Sequence, residues 1–227
     1  MWTRTAEQAG TTRSQARPFL VAYGLGALAF LGLSGVQALS STDIFQDPPV
    51  TTGEPFYLGL GSNVGILLWA ATVVICLFTW FALGPGHVRA QSGRGLLAVA
   101  GLTVVLLADD LLILHERVFR YELRISEPQV MGIYAVIGVG CMLVAYRLIR
   151  QSPDRVLFVS VVVLFAVAVA LDVIDESETT ITGAGALEDA AEFLGVVGWL
   201  AFWSRTCARL LASTRIPIGS AVREATG

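Results

Sequence analysis

Three acidic stretches hold the side chains of this chain best suited to chemistry. They are Leu107-Ala108-Asp109-Asp110 running on to His115-Glu116, Leu171-Asp172-Val173-Ile174-Asp175-Glu176, and Leu187-Glu188-Asp189-Ala190-Ala191-Glu192. Each lies in or against a long apolar run, where an ionised carboxylate costs about 2.5 to 3.5 kcal/mol at the centre of a membrane helix and less towards its ends. Several together need neutralising by protons, metal cations or arginines. Protons imply coupled titration, because neighbouring like charges resist joint ionisation. A divalent metal would use carboxylate oxygens with the His115 nitrogen, a donor set suited to calcium, manganese, iron or zinc, with softness unable to choose among them.

Helical spacing sharpens the grouping. At about 100° per residue, Asp109 and Glu116 fall about 20° apart on a continuous α-helix, with Asp110 beside them. On the same basis Asp172, Asp175 and Glu176 share a face, and Glu188 and Glu192 stack at i and i+4 with Asp189 to one side. The expected metal ligands are therefore Asp109, Glu116, Asp172, Asp175, Glu188 and Glu192, with His115 as a secondary one. Asp110, Glu176, Asp189 and Arg117 are expected to support them. The competing structural reading is a lid in which Arg117, Arg120 and Arg124 fold back onto the acids as ion pairs.

The elements that must position these residues follow from composition. The 227 residues are 55% hydrophobic and 15% charged, with a mean hydropathy of +0.69, whereas a soluble domain carries about 25% charged residues. Six apolar stretches, near 19–39, 63–83, 95–115, 129–149, 155–175 and 185–205, are long enough to cross a hydrocarbon core, which takes about 20 helical residues. The fold class is therefore all-α, a polytopic membrane helix bundle. Residues 1–18 form an N-terminal tail, 19–212 the six-helix domain and 213–227 a C-terminal tail. The first run lacks a small-residue cleavage site and reads as an uncleaved span.

Orientation follows from the arginines. Six spans with a cytoplasmic N-terminus put twelve arginines inside and leave only Arg117, Arg120 and Arg124 outside, the asymmetry of cytoplasmic loops. Both termini are then cytoplasmic in a multi-pass protein of the cell membrane. The acidic ends of the third, fifth and sixth spans converge on the outer side, while Glu7, Asp154 and Glu224 lie inside. The ends of the third and fifth helices carry partial negative charge, which favours a bound cation there.

Several classes are excluded. All 15 basic residues are arginine, so retinal or pyridoxal Schiff-base chemistry, which needs a lysine amine, is absent. Cys76, Cys141 and Cys207 have no Cys-x-x-Cys spacing and read as packing residues. Walker loops, dinucleotide fingerprints, Ser-His-Asp arrangements and Glu-x-x-His pairs are lacking, and no nucleic-acid partner is indicated. Gly24 with Gly26 and Gly195 with Gly198 read as close helix contacts. Trp199 and Trp203 read as interfacial anchors, and His87 has no role.

The pattern Asp109-Asp110-x4-His115-Glu116, followed by an Asp ending a later helix and by Leu187-Glu188-Asp189-x2-Glu192-x2-Gly195, resembles a group of six-helix bacterial membrane proteins without assigned function. The resemblance covers about half of the chain and implies only that the acidic set travels together. Membrane zinc hydrolases of the ceramidase and adiponectin-receptor type need three histidines near one leaflet, and His115 alone is available. The first expectation is an outward-facing divalent-cation site, serving an enzyme if the substrate is a lipid. Proton- or cation-coupled transport is the second and a non-catalytic subunit docking a membrane partner the third. The oligomeric state is left open.

Overall fold

The structure, a computed structural model, describes residues 59–175 and 184–214 together with Leu28, Leu31, Gly32, Gly35, Thr52, Gly53, Pro55 and Tyr57. Positions 87–89, 91, 115–117, 121, 127, 128, 173–175 and 184 are described by their backbone alone. The chain divides into two units, Met1–Leu58 and Gly59–Gly227. In the first, Leu28, Leu31, Gly32 and Gly35 are helical; the rest of the expected first span lies outside the described residues.

The second unit is an antiparallel helical assembly of α1 (Leu60–Ala82), α2 (His87–Leu112), a π-helix (Leu114–Glu122), α3 (Glu127–Gln151), α4 (Arg155–Asp175) and α5 (Ala184–Ser213). No strand occurs among the described residues. Turn chemistry sets the boundaries. Gly59 and Gly84, both at positive φ, flank α1, where glycine carries no Cβ penalty. A capping box opens α3, with the Ser126 backbone N–H donating to Gln129 Oε1 at 3.2 Å. Pro153 follows α3 and prevents its continuation.

Four of these helices are long and apolar enough to cross a membrane: Leu60–Ala82, Ser92–Leu112, Gln129–Gln151 and Arg155–Asp172. They match the second to fifth expected spans. The sixth expected span corresponds to α5, which carries carboxylates in its first turns and arginines near its end. Large apolar side chains face outward along α3 and α4, including Val136 at 74% and Val156 at 84% exposure, as a bilayer solvent allows.

α4 packs on α5, α5 and α2 pack on α1, and α3 packs on α2, while α3 and α4 barely touch. Small residues permit the closest approaches. A Cβ on Gly198 would lie 2.6 Å from Val161 Cγ2, and one on Gly195 would lie 2.8 Å from the Phe165 ring, as the sequence reading of these glycines requires. On the other side of the bundle, a Cβ on Gly95 would meet Leu148 at 2.8 Å. Hydroxyls inside the bundle turn back on their own helices: Thr72, Thr79 and Thr103 donate to the carbonyls of Leu68, Ile75 and Val99. Each thereby satisfies a polar group that lipid and core cannot.

Trp199 and Trp203 correct the expectation of interfacial anchors, being 4% and 0% exposed in the core. Trp69, Phe165, Trp199, Trp203, Phe202 and Phe158 form a run of ring contacts with centroids 5.0 to 6.5 Å apart. Trp199 Nε1 donates to Thr103 Oγ1 at 3.1 Å. Trp203 Nε1 is buried without a partner among the described residues.

At the end of the bundle holding the α3–α4 turn, Asp154 is clamped by α5. Arg205 Nη2 donates to Asp154 Oδ1 at 2.9 Å, and Arg209 Nη1 donates to Oδ2. Arg209 Nη2 also reaches Ser152 Oγ at 2.6 Å and Thr206 Oγ1 at 3.0 Å. The hydrogen bonds from Arg205 and then Arg209 hold the Asp154 carboxyl below its usual range. A lowered folded value contributes stability above the ordinary carboxylate value, and that contribution is lost as pH falls through the folded one.

Two outcomes follow from this packing. Gly198→Ala is expected to cost about 1 to 3 kcal/mol by overpacking against Val161, read as a lower thermal midpoint in detergent. Asp154→Asn should lower the midpoint at neutral pH, and the gap from the parent protein should close in acid below the usual carboxylate range.

Candidate functional site

Asp109 and Asp110 lie in the last turn of α2, three and two residues before its end at Leu112. Asp109 is buried, with 5% of its surface exposed, and Asp110 is half-buried. Two aromatic side chains from flanking helices hold them. Tyr134, near the start of α3, donates its phenol to Asp109 Oδ1 at 2.8 Å. Trp69 on α1, 3% exposed, donates Nε1–H to Asp110 Oδ2 at 2.8 Å.

Trp69 is itself fixed by packing. Its indole stacks on the Phe165 ring of α4, with centroids 5.8 Å apart and planes 14° from parallel, and meets Trp199 of α5 edge-on at 6.4 Å. Offset and edge-to-face geometries suit the charge distribution of the rings. The carboxylate pair therefore rests on donors whose positions are set by α1 and α3, with α4 and α5 locking the indole.

Neutral donors at 2.8 Å stabilise an anion but add no charge of their own. The sequence reading offered protons, metals and arginines as neutralisers and missed these two. A tryptophan or tyrosine buried in an apolar helix needs an acceptor for its polar tip. Placing Trp69 and Tyr134 on helices adjacent to α2, with their tips at the level of Asp109, was the available signal.

The helical stripe joining Asp109 to Glu116 does not continue. α2 ends at Leu112, Ile113 adopts φ 51 and ψ 47, and the chain proceeds as the π-helix. A β-branched residue in the left-handed region is a strained position, so the spacing of about 100° per residue cannot be carried across it. Asp109 accordingly lies about 4.5 Å along the axis from the end of its α-helix, nearer that end than a helix reaching His115 would put it.

The remaining expected ligands are distributed as follows. Asp172 is half-buried in the last turn of α4; Glu188 is half-buried and Glu192 exposed in the first turns of α5, with exposed Asp189 between them. The antiparallel arrangement brings these positions to the same end of the bundle as Asp109 and Asp110. The side chains of His115, Glu116, Arg117 and Asp175, and the whole of Glu176, lie outside the described residues. Among the described residues no group of three or more His, Cys, Asp or Glu is gathered closely enough to hold a metal ion. Arg120 and Arg124 are exposed, Arg124 at φ 55.

The Asp109–Tyr134 bond has a direct test. Tyr134→Phe removes a donor from a buried acceptor, and about 1 to 3 kcal/mol of stability should be lost. A double-mutant cycle with Asp109→Leu, which removes the acceptor, is expected to return a coupling of about 0.5 to 3 kcal/mol between the two residues.

No curated protein and no solved structure matches the chain. Over residues 19–206, which take in all of the expected ligands and every described helix except the last turns of α5, it matches the family model described as a domain of unknown function (DUF8692), and the chain belongs to that family.

Proposed function

We propose that this protein is a polytopic membrane protein whose acidic end binds a divalent cation at the Asp109–Asp110 pair. The observation that carries the reading is a carboxylate only 5% exposed inside a helix able to cross a membrane, with a second carboxylate next to it in sequence. The phenol of Tyr134 and the indole of Trp69 hold the two acids in place as neutral donors, and carboxylates this close together favour a bound cation. Hard oxygen donors of this kind suit calcium or manganese, with iron and zinc favoured if His115 takes part.

Glu116, Asp172, Asp175, Glu188 and Glu192 are the candidates to complete the coordination. In this reading six spans place both termini in the cytoplasm and the acidic end outside, supported by the twelve-to-three distribution of arginines. A metal there would act on a lipid-borne group near the outer leaflet. Transport of the same cation fits less well, because the aromatic run below Trp69 fills the interior with rings instead of polar side chains.

Elemental analysis of protein purified in metal-free detergent tests the proposal, with Asp109→Asn/Asp110→Asn beside it. Asparagine retains a carbonyl acceptor for Tyr134 and Trp69, so the double variant keeps its two interhelical bonds. A stoichiometric divalent metal in the parent protein, lost in the variant, is the expected result. Parent protein free of metal after exposure to calcium, manganese, iron and zinc would overturn it.

A further inference from the structure

The end of the bundle opposite the acidic site holds a cavity of about 650 Å³ lined by Ser92, Tyr146, Arg147, Arg150, Gln151 and Arg155. Its lining comes from the first turns of α2, the last turns of α3 and the start of α4. Three guanidinium groups border it and, among the described residues, no carboxylate does. Arg147 and Arg150 form no ion pair among the described residues. Arg155 spends its Nε on the Ser152 carbonyl at 3.3 Å. Asp154, the nearest acid in sequence, is already held by Arg205 and Arg209. Among the described residues the cavity is therefore a concentration of positive charge without an acidic partner in its lining.

Its level in the membrane is set by the helices that border it. The apolar spans start at Ser92, stop at Gln151 and start again at Arg155, so the arginines sit where hydrocarbon gives way to headgroups. From them two apolar stripes run into the bilayer. On α3, Leu143 and Val139 lie one and two turns below Arg147 and are 70% and 61% exposed. On α4, Val159 and Val163 lie one and two turns beyond Arg155 and are 57% and 53% exposed. Because α3 and α4 barely pack on each other, the space between the stripes is open to lipid.

We propose that this cavity binds the headgroup of an anionic phospholipid, with Arg147, Arg150 and Arg155 holding the phosphate and the acyl chains lying between α3 and α4. A guanidinium matches phosphate oxygens in a planar, two-pronged geometry, and Tyr146 and Gln151 add neutral donors at the headgroup level. A basic pocket between membrane helices at the interface is the arrangement that selects anionic over zwitterionic lipid. The apolar stripes distinguish a lipid from a free phosphate ion, which would use the arginines alone.

Native mass spectrometry of the detergent-purified chain tests this by titration with phosphatidylglycerol, phosphatidylcholine or inorganic phosphate at physiological salt. Phosphatidylglycerol is expected to bind in preference to phosphatidylcholine and to resist competition by inorganic phosphate. The preference should fall by about five-fold for each arginine removed, through Arg147→Gln/Arg150→Gln to the triple variant with Arg155→Gln. Arg94→Gln, exposed on α2 and outside the lining, should leave it unchanged. The double variant keeps the Arg155 bond to Ser152, so a loss there is not a loss of fold. Equal binding of phosphatidylcholine, displacement by inorganic phosphate at the lipid's own concentration, or an equal effect of Arg94→Gln would each overturn the proposal.

Discussion

Trp69 is the point at which four helices are made consistent with one another. Its indole comes from α1, its N–H is bound by Asp110 of α2, one ring face stacks on Phe165 of α4 and its edge meets Trp199 of α5. A polar atom at this depth must find a partner inside the protein, because lipid offers none. The hydrogen bond therefore sets the rotation of α2 relative to α1, which decides where Asp109 points. Trp199 passes the constraint on, since its own N–H is bound by Thr103 two turns back along α2. Two indole donors thus fix α2 at two levels, and the Asp109–Tyr134 bond then fixes α3.

The helices were readable from hydropathy because the spans are continuous apolar runs with abrupt polar ends. The expected 155–175 coincides with α4, and 129–149 falls two residues inside α3 at either end. The close approaches at Gly195 and Gly198 were readable for a similar reason: two glycines three apart in a membrane helix leave a groove, and Phe165 and Val161 fill it. The break at Ile113 was not readable. The chain reverses its φ there on an isoleucine, with no glycine, proline or asparagine to mark the position. Its consequence reaches the site, because the alignment of Glu116 with Asp109 depended on an unbroken helix.

Of the candidate site, the acids could be found in the sequence but their partners could not. Carboxylates in an apolar run are conspicuous, whereas Trp69 and Tyr134 look like packing residues until a third helix supplies an acceptor. The same ambiguity misplaced Trp199 and Trp203, since an indole near the end of a span suits an interface as well as a core. Sequence put Asp154, Arg205 and Arg209 on one side of the membrane without pairing them. The pairing requires knowing that the α3–α4 turn lies against the last turns of α5, a contact set by the Gly195 and Gly198 packing of α4 on α5.

The two ends of the bundle handle charge differently. At the acidic end, neutral donors from aromatic residues hold Asp109 and Asp110 in the last turn of α2. At the other end, Asp154 is cancelled by two arginines while Arg147 and Arg150 remain in surplus at the cavity. Between them the aromatic run fills the core. Among the described residues no charged side chain bridges the two ends, which are joined through helix packing. Trp69 and Trp199 join the carboxylate pair to α4 and α5, whose far ends carry Arg155 and the arginines that clamp Asp154.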